Sequence, residues 1–323
     1  MATIEDRAVT AAEVRSVPPV GGHGGDAVAV ALALGLDPEL MIDLSASMNP
    51  LAPDVSDLLV RDLVRLKGTL GRYPNPRGAE RLLSNAIGVD PDLLVLTNGG
   101  AEAIALVADE VQVGNVVEPE FSLYRRHLAG IDPDAPRWRS NPSNPLGRLA
   151  APDDRAGVWD EAFYPLATGS WTRGDADAWR LGSLTKLWNC PGLRLGYVIA
   201  PNADAANRVR FRQPEWAVNG LALDLIGDLL ERTDLVGWQV ALASAGVEFA
   251  AALRRLGFRV RTTDVNWVLV EHHDLRASLA PRRVVVRDCT SFGMADVSRV
   301  TVPSPECTDR VLTAFAAVAE QCR

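Results

Sequence analysis

Apolar residues fall along this chain in two rhythms, and the change between them divides it. Residues 26–36 form an Ala/Val/Leu run that reads as a buried helix stopped at Gly35. Between 53 and 67, Val55, Leu58, Leu59, Leu63 and Leu66 recur at helical spacing, closed by Gly68. The middle then alternates. Short β-rich runs occur at 93–97, 115–118, 157–160, 178–183 and 196–200, with helical candidates at 101–111 and 122–129 between the early ones. Such alternation predicts an α/β domain around a mostly parallel sheet. Past Ala217, helical stretches at 220–230 and 236–256 precede strands at 258–262, 267–271, 283–287 and 298–302 and a last helix at 306–320. Helices and strands are segregated there, which predicts a smaller α+β domain. The expected division is 1–50 as an arm and part of the small domain, 51–217 as the large domain, and 218–323 as the C-terminal small domain.

Composition narrows the class. A length of 323 residues suits two domains. The 33 Lys and Arg stand against 41 Asp and Glu, a net charge of −8, so no nucleic-acid partner is expected. The longest uninterrupted apolar run, 27–36, is far short of the roughly 18 residues of a membrane span, so no membrane partner is expected either. The N-terminus lacks a basic region followed by an apolar stretch, so no secretory signal is expected. Cys190, Cys289, Cys307 and Cys322 form no C-x-x-C pair, which argues against a metal site or a disulfide framework. The expectation is a soluble, cytoplasmic enzyme.

The chemistry concentrates in Gly182-Ser183-Leu184-Thr185-Lys186-Leu187-Trp188-Asn189-Cys190-Pro191-Gly192-Leu193-Arg194-Leu195-Gly196-Tyr197. Lys67 and Lys186 are the only lysines, and Lys186 sits among hydroxyls and glycines eight residues before Arg194. Alone, this is a lysine on a loop after a strand. Its company is informative: Tyr73-Pro74-Asn75-Pro76-Arg77-Gly78, Thr97-Asn98-Gly99-Gly100-Ala101-Glu102, Pro119-Glu120-Phe121-Ser122-Leu123-Tyr124, Asn144-Pro145-Leu146-Gly147 and Asp160-Glu161-Ala162-Phe163 follow in order. Together these motifs resemble those of the fold-type I pyridoxal-phosphate enzymes, in the class I/II aminotransferase family that includes histidinol-phosphate aminotransferase. The resemblance implies a large domain with a mostly parallel central sheet, a smaller α+β domain from both chain ends, and pyridoxal 5′-phosphate as cofactor.

It also implies roles. The cofactor is an electron sink that the protein must hold, protonate and join to a lysine. Lys186 would form the internal aldimine and later act as the proton-transfer base. Asp160 would pair with the pyridine nitrogen, since a nearby carboxylate favours its protonated form. Asn144 would donate to the phenolic oxygen, and Phe121 would stack on the ring. Gly100, Ala101 and Glu102, at a helix start, would bind the phosphate with Ser183, Thr185 and Arg194. Tyr73 would reach the cofactor phosphate of a neighbouring subunit, which implies a homodimer with shared active sites. Taken singly, each has a plainer reading: a capping aspartate, an Asn-Pro turn, a core phenylalanine, a Gly-Gly turn.

The chain ends resemble the threonine-phosphate decarboxylases of cobalamin biosynthesis within that family. His23-Gly24-Gly25-Asp26, Asp43-Leu44-Ser45-Ala46-Ser47-Met48-Asn49-Pro50-Leu51 and Val286-Arg287-Asp288-Cys289-Thr290-Ser291-Phe292-Gly293 carry that likeness, and Phe163 fits it. By resemblance, Arg299 would bind the substrate carboxylate, and Arg287 and His23 its phosphate; structural ion pairs and an ordered turn are the plainer readings. There are departures. Ser47 stands where the branch has asparagine, and only twelve residues separate Gly147 from Asp160, where the family normally inserts a helix and a strand start. That shortening would bare one face of the sheet, for a partner or a dimer to cover. The small-molecule substrate implied is an amino acid, possibly phosphorylated. Decarboxylation and transamination differ by which Cα bond stands perpendicular to the cofactor plane, and the sequence leaves both open. The alternative is an aminotransferase of histidinol-phosphate or aromatic type using 2-oxoglutarate. A non-catalytic sensing domain is disfavoured by the missing winged-helix segment, and a nucleotide-binding oxidoreductase by the missing G-x-G-x-x-G.

Overall fold

The β-rich runs of the middle region join one seven-stranded sheet in a computed structural model that describes residues 16–19, 21 and 23–321. Its spatial order is Leu94–Asn98, Leu195–Ile199, Trp179–Gly182, Val158–Asp160, Arg137–Ser140, Val113–Val116 and Gly130–Ile131. Leu195–Ile199 is antiparallel to both neighbours, and every other pairing is parallel. Successive side chains point to opposite faces. Val95, Val116, Trp138, Val158 and Val198 therefore pack under the helices Gly99–Val111, Leu123–His127 and Ala203–Arg212. Leu94, Leu96, Tyr197 and Ile199 pack on the other face against Arg77–Ile87 and Gly220–Glu231.

A second, antiparallel sheet orders Arg287–Asp288, Val297–Thr301, Trp267–Glu271 and Arg259–Thr262. The helices Leu235–Arg255 and Thr308–Gln321 cover it through Phe249, Leu253, Val311 and Phe315. A short parallel pair, Ile42–Asp43 with Val284–Val285, ties the N-terminal segment beside it. Leu235–Arg255 is long and apolar enough, at mean hydropathy 1.4, to cross a bilayer. A count of uninterrupted apolar runs passes over it; here Leu235, Trp238, Leu242, Phe249, Ala250 and Leu253 are buried against protein.

Several elements differ from expectation. The helix read over 53–67 is two, Val55–Arg61 and Leu63–Lys67, parted at Asp62, whose carboxylate binds Arg61 and Arg65. Leu58 and Leu66 are buried but Leu63 is exposed, because the break turns the second helix. The strand read over 283–287 is two pieces in different sheets. Arg137–Ser140 was not expected, since its residues Arg-Trp-Arg-Ser lack an apolar run.

The shortened stretch after Gly147 is a loop, and the sheet face beside it is covered by this chain itself. Trp159 is fully buried, with the Arg173 guanidinium 4.8 Å from its ring centre and that of Arg139 5.7 Å away. Arg173 also donates to Pro152 O at 2.8 Å, Asp154 O at 3.0 Å and Asp175 Oδ2 at 3.0 Å. These two arginines form a strap that covers Trp159 on that face from within the chain. Such stacked cations favour an aromatic face.

Candidate active site

Parallel strands share a direction, so their carboxyl ends gather along one edge of the sheet, where α/β proteins bind ligands. Five loops leave this edge. Asn98 leads into Gly99, Val116 into Phe121, Ser140 into Asn144, Asp160 into Ala162, and Gly182 into Lys186. Arg287 and Arg299 approach from the second sheet, where they are register partners, and His23 from the N-terminal segment. Together they line a cavity of about 700 Å³. Its walls include Gly100, Ala101, Glu102, Phe121, Asn144, Asp160, Ser183, Thr185, Lys186, Arg194, Arg287, Arg299 and His23. Tyr73 is apart: it is 75% exposed and stacks on Trp216 at 4.3 Å, outside the cavity of its own chain.

Asp160 accepts the Tyr124 hydroxyl at 2.7 Å and the Ala162 N–H at 3.0 Å. Desolvation raises its pKa, opposed by those two bonds and by the charge of Lys186. No ion pair to it occurs among the described residues. A carboxylate held there is under-compensated, and a cationic ring nitrogen would complete it. Lys186 Nζ donates to Ala46 O at 2.8 Å. Desolvation first, then the charges of Arg299 and Arg194, bring its ammonium down to about 8. At mildly alkaline pH much of it is the nucleophilic amine.

The phosphate end is a backbone cradle. Gly99 has φ +78°, a conformation that side chains rarely adopt, and a Cβ there would collide with the Arg194 guanidinium. Gly100 lies against Ser183, whose Cβ would be 3.5 Å from an added Cβ. The free N–H groups of this 13-residue helix's first turn therefore open beside a hydroxyl and a fixed cation. The donor set suits a phosphate. The Glu102 carboxylate accepts from Asn98 N at 2.7 Å and Gln213 Nε2 at 2.9 Å, capping the helix entry. The Thr185 hydroxyl donates to Leu195 O at 3.1 Å.

Arg299 is buried, with its Nη1 donating to Asn144 Oδ1 at 2.6 Å and its Nη2 to Ser45 O at 2.8 Å. Its Nε is buried without an acceptor among the described residues, and desolvation lowers it to about 10. Because a guanidinium only donates, it fixes the Asn144 amide with Nδ2 as the remaining donor. Arg287 Nη1 donates to Gly21 O at 2.7 Å and to His23 O at 3.3 Å, and its Nη2 to Ser291 Oγ at 2.8 Å. The His23 ring lies 5.3 Å from that of Phe121. Its pKa is lowered by desolvation, then by the charges of Arg287, Arg126 and Lys186.

Tyr124, Ser140 and Arg126 also line the cavity and escaped the motif reading. Tyr124 closes the aromatic segment, which drew attention only to Phe121, and Arg126 lies two residues beyond it. Arg126 has no hydrogen-bond or ion-pair partner for its guanidinium among the described residues. Ser47, the departure from the branch pattern, is fully buried at φ 52°, and Thr301 Oγ1 donates to its Oγ at 3.2 Å. It is not on the cavity wall; its neighbours Ala46 and Met48 are.

The Aminotransferase class I and II family model matches residues 139–316. Among curated proteins, the threonine-phosphate decarboxylase of Salmonella typhimurium is 29% identical over 91% of this chain and 95% of its own. Among solved structures, the histidinol-phosphate aminotransferase from Clostridium acetobutylicum superposes with a TM-score of 0.75 at 22% identity, covering 86% of this chain and 99% of that one. The L-threonine-O-3-phosphate decarboxylase from Porphyromonas gingivalis gives 0.72 at 23%, with the same coverage.

Proposed function

Because the chain belongs to the class I and II aminotransferase family, whose members work with pyridoxal 5′-phosphate, we propose that it is a threonine-phosphate decarboxylase-like enzyme, cytoplasmic and serving cobalamin biosynthesis. The observation that carries this reading is the distribution of positive charge. Arg299 lies buried beside Asn144, while His23, Arg126 and Arg287 share the cavity wall near one another. One arginine suffices for an α-carboxylate; a substrate with a second, doubly charged anion requires more. The likeness to the Salmonella decarboxylase supports the same substrate class.

The bound cofactor supplies an electron sink for the substrate's α-carbon. The protein's own groups do the rest. Lys186 Nζ would hold the cofactor and, when free, would carry a proton to or from the substrate. The Asp160 carboxylate would favour a protonated ring nitrogen. Asn144 Nδ2 would be the donor for the phenolic oxygen, and Phe121 would offer an aromatic face to the ring. The N–H groups at Gly100, Ala101 and Glu102, the Ser183 hydroxyl and the Arg194 guanidinium take the phosphate, with Thr185 fixing the loop. Arg299 takes the substrate carboxylate, and His23, Arg126 and Arg287 take its phosphate. Anchoring both substrate anions would fix which bond to the α-carbon is broken, and loss of carbon dioxide is the outcome proposed. The working unit is a homodimer in which Tyr73 reaches the cofactor phosphate of the second copy.

The test is a product assay: with threonine phosphate the enzyme releases carbon dioxide without needing 2-oxoglutarate. Arg287→Ala lowers that turnover by roughly 10–100-fold, about 1.4–3 kcal/mol, and leaves unphosphorylated amino acids little affected. Amino transfer from histidinol phosphate to 2-oxoglutarate, with no carbon dioxide from threonine phosphate, would instead establish the aminotransferase reading. Ser47, where the decarboxylase branch has asparagine, is the departure that keeps this second reading in view.

A further inference from the structure

One buried acid lies behind the cavity wall with no role in the chemistry above. Glu120 is 5% exposed. Its carboxyl accepts the Ser140 N–H at 3.1 Å and the Ser140 hydroxyl at 2.5 Å. That hydroxyl in turn accepts the Asn144 N–H at 2.8 Å, and Asn144 Oδ1 accepts from Arg299. A continuous chain of hydrogen bonds thus runs from Glu120 to the donor proposed for the phenolic oxygen. No ion pair reaches Glu120 among the described residues. The groups facing it are acids: Asp160 from the strand Val158–Asp160 and Tyr124 from the helix Leu123–His127, whose hydroxyl already donates to Asp160. Lys186 acts on Asp160 from across the cavity.

We propose that Glu120 is a positioning residue for the cofactor site: its carboxyl anchors Ser140, and through it the turn that presents Asn144, while its charge is coupled to that of Asp160. The inference rests on the assignment of Asp160 and Asn144 to the two polar edges of the cofactor. Ser140 Oγ has one hydrogen; because it accepts from Asn144 N–H, it donates that hydrogen to Glu120, and removing the carboxyl would leave it without its acceptor. Two buried carboxyl groups sharing one environment do not both ionise readily. Burial above all, reinforced by Asp160 and opposed by the bonds from Ser140, pushes Glu120 up to about 8. Below that pH Glu120 is uncharged. Above it a second negative charge stands behind the ring nitrogen and favours its protonated form.

The experiment follows the visible absorption band of the bound cofactor from pH 6 to pH 10 in the holoenzyme, in the wild type, Glu120→Gln and Ser140→Ala. Glutamine preserves an acceptor for Ser140 and cannot ionise. Its band is expected to match the wild type at pH 6.5 and to lack the displacement that the wild type undergoes near pH 8. Ser140→Ala cuts the link and keeps the acid, so the displacement persists while cofactor affinity falls roughly 10-fold. Because the two substitutions probe charge and anchoring separately, failure of one variant to fold leaves the other decisive. Glu120→Gln titrating on top of the wild type overturns the coupling, and Ser140→Ala holding cofactor as tightly as the wild type overturns the anchoring. A wild-type protein that takes up no pyridoxal phosphate would remove the site assignment itself, an outcome distinct from both.

Discussion

Desolvation and two nearby arginines bring Lys186 down to about 8, and this gives the apoprotein a definite pH response. Only the neutral amine attacks an aldehyde, so the rate of cofactor capture should rise with pH and level off above pH 8. Lys186→Ala should leave no adduct that borohydride can fix, which mass spectrometry of the treated protein would detect. Tyr124 makes a second case. Its hydroxyl stabilises the charged form of Asp160, so Tyr124→Phe should raise the Asp160 pKa further and lower turnover by roughly 10-fold, about 1.4 kcal/mol; steady-state rates at pH 7 check this. For His23 the sign runs the other way. Its pKa is depressed in the free protein, and a bound phosphate dianion raises it. Between those two values the complex holds a proton that the free protein lacks, so phosphorylated substrate binds more tightly as pH falls through that window. Calorimetry near pH 6 in buffers of different ionisation enthalpy should register proton uptake with the wild type and less with His23→Asn. Unchanged uptake would assign the proton elsewhere.

Among the elements, the ones that deliver chemistry were the most legible. Lys186 and Asp160 stand out because each lies at or just past the end of a short β-rich run, whereas Asn144 is marked only by its Asn-Pro turn among the ordered motifs, since the strand before it has no apolar run. What escaped did so for physical reasons. Arg137–Ser140 carries two arginines because one stacks on Trp159 and the strand lies under a polar strap, a tertiary arrangement without local signature. Glu120 carries no local signal of burial; its partner Ser140 lies 20 residues on, at the end of a strand that the sequence does not reveal. The partition of 283–287 between two sheets depends on strands from opposite ends of the chain. At the phosphate end, the positive φ of Gly99 and its contact with Arg194 leave no room for a methyl group. Gly99→Ala should therefore cost about 1–3 kcal/mol of stability and weaken cofactor binding by at least 10-fold, readable by thermal unfolding with and without added cofactor. Wild-type affinity in that variant would show that the cradle tolerates a side chain.

For the whole molecule, the exposed Tyr73–Trp216 stack is the feature that a dimer would use. Mixed subunits carrying Tyr73→Phe and Lys186→Ala, each severely impaired alone, should regain activity as hybrids, since one site per hybrid is then intact. Lack of recovery despite demonstrated subunit exchange would exclude shared sites. The strap over Trp159 has a different kind of consequence. Arg173 and Arg139 cover Trp159 beside a short loop, and the strand beneath still carries Asp160 to the cavity. Catalytic geometry and back-side cladding are thus separable parts of this scaffold. A protein engineer seeking the smallest frame for this chemistry, or a surface on which to graft a second domain, would begin at the short loop between Gly147 and Asp160.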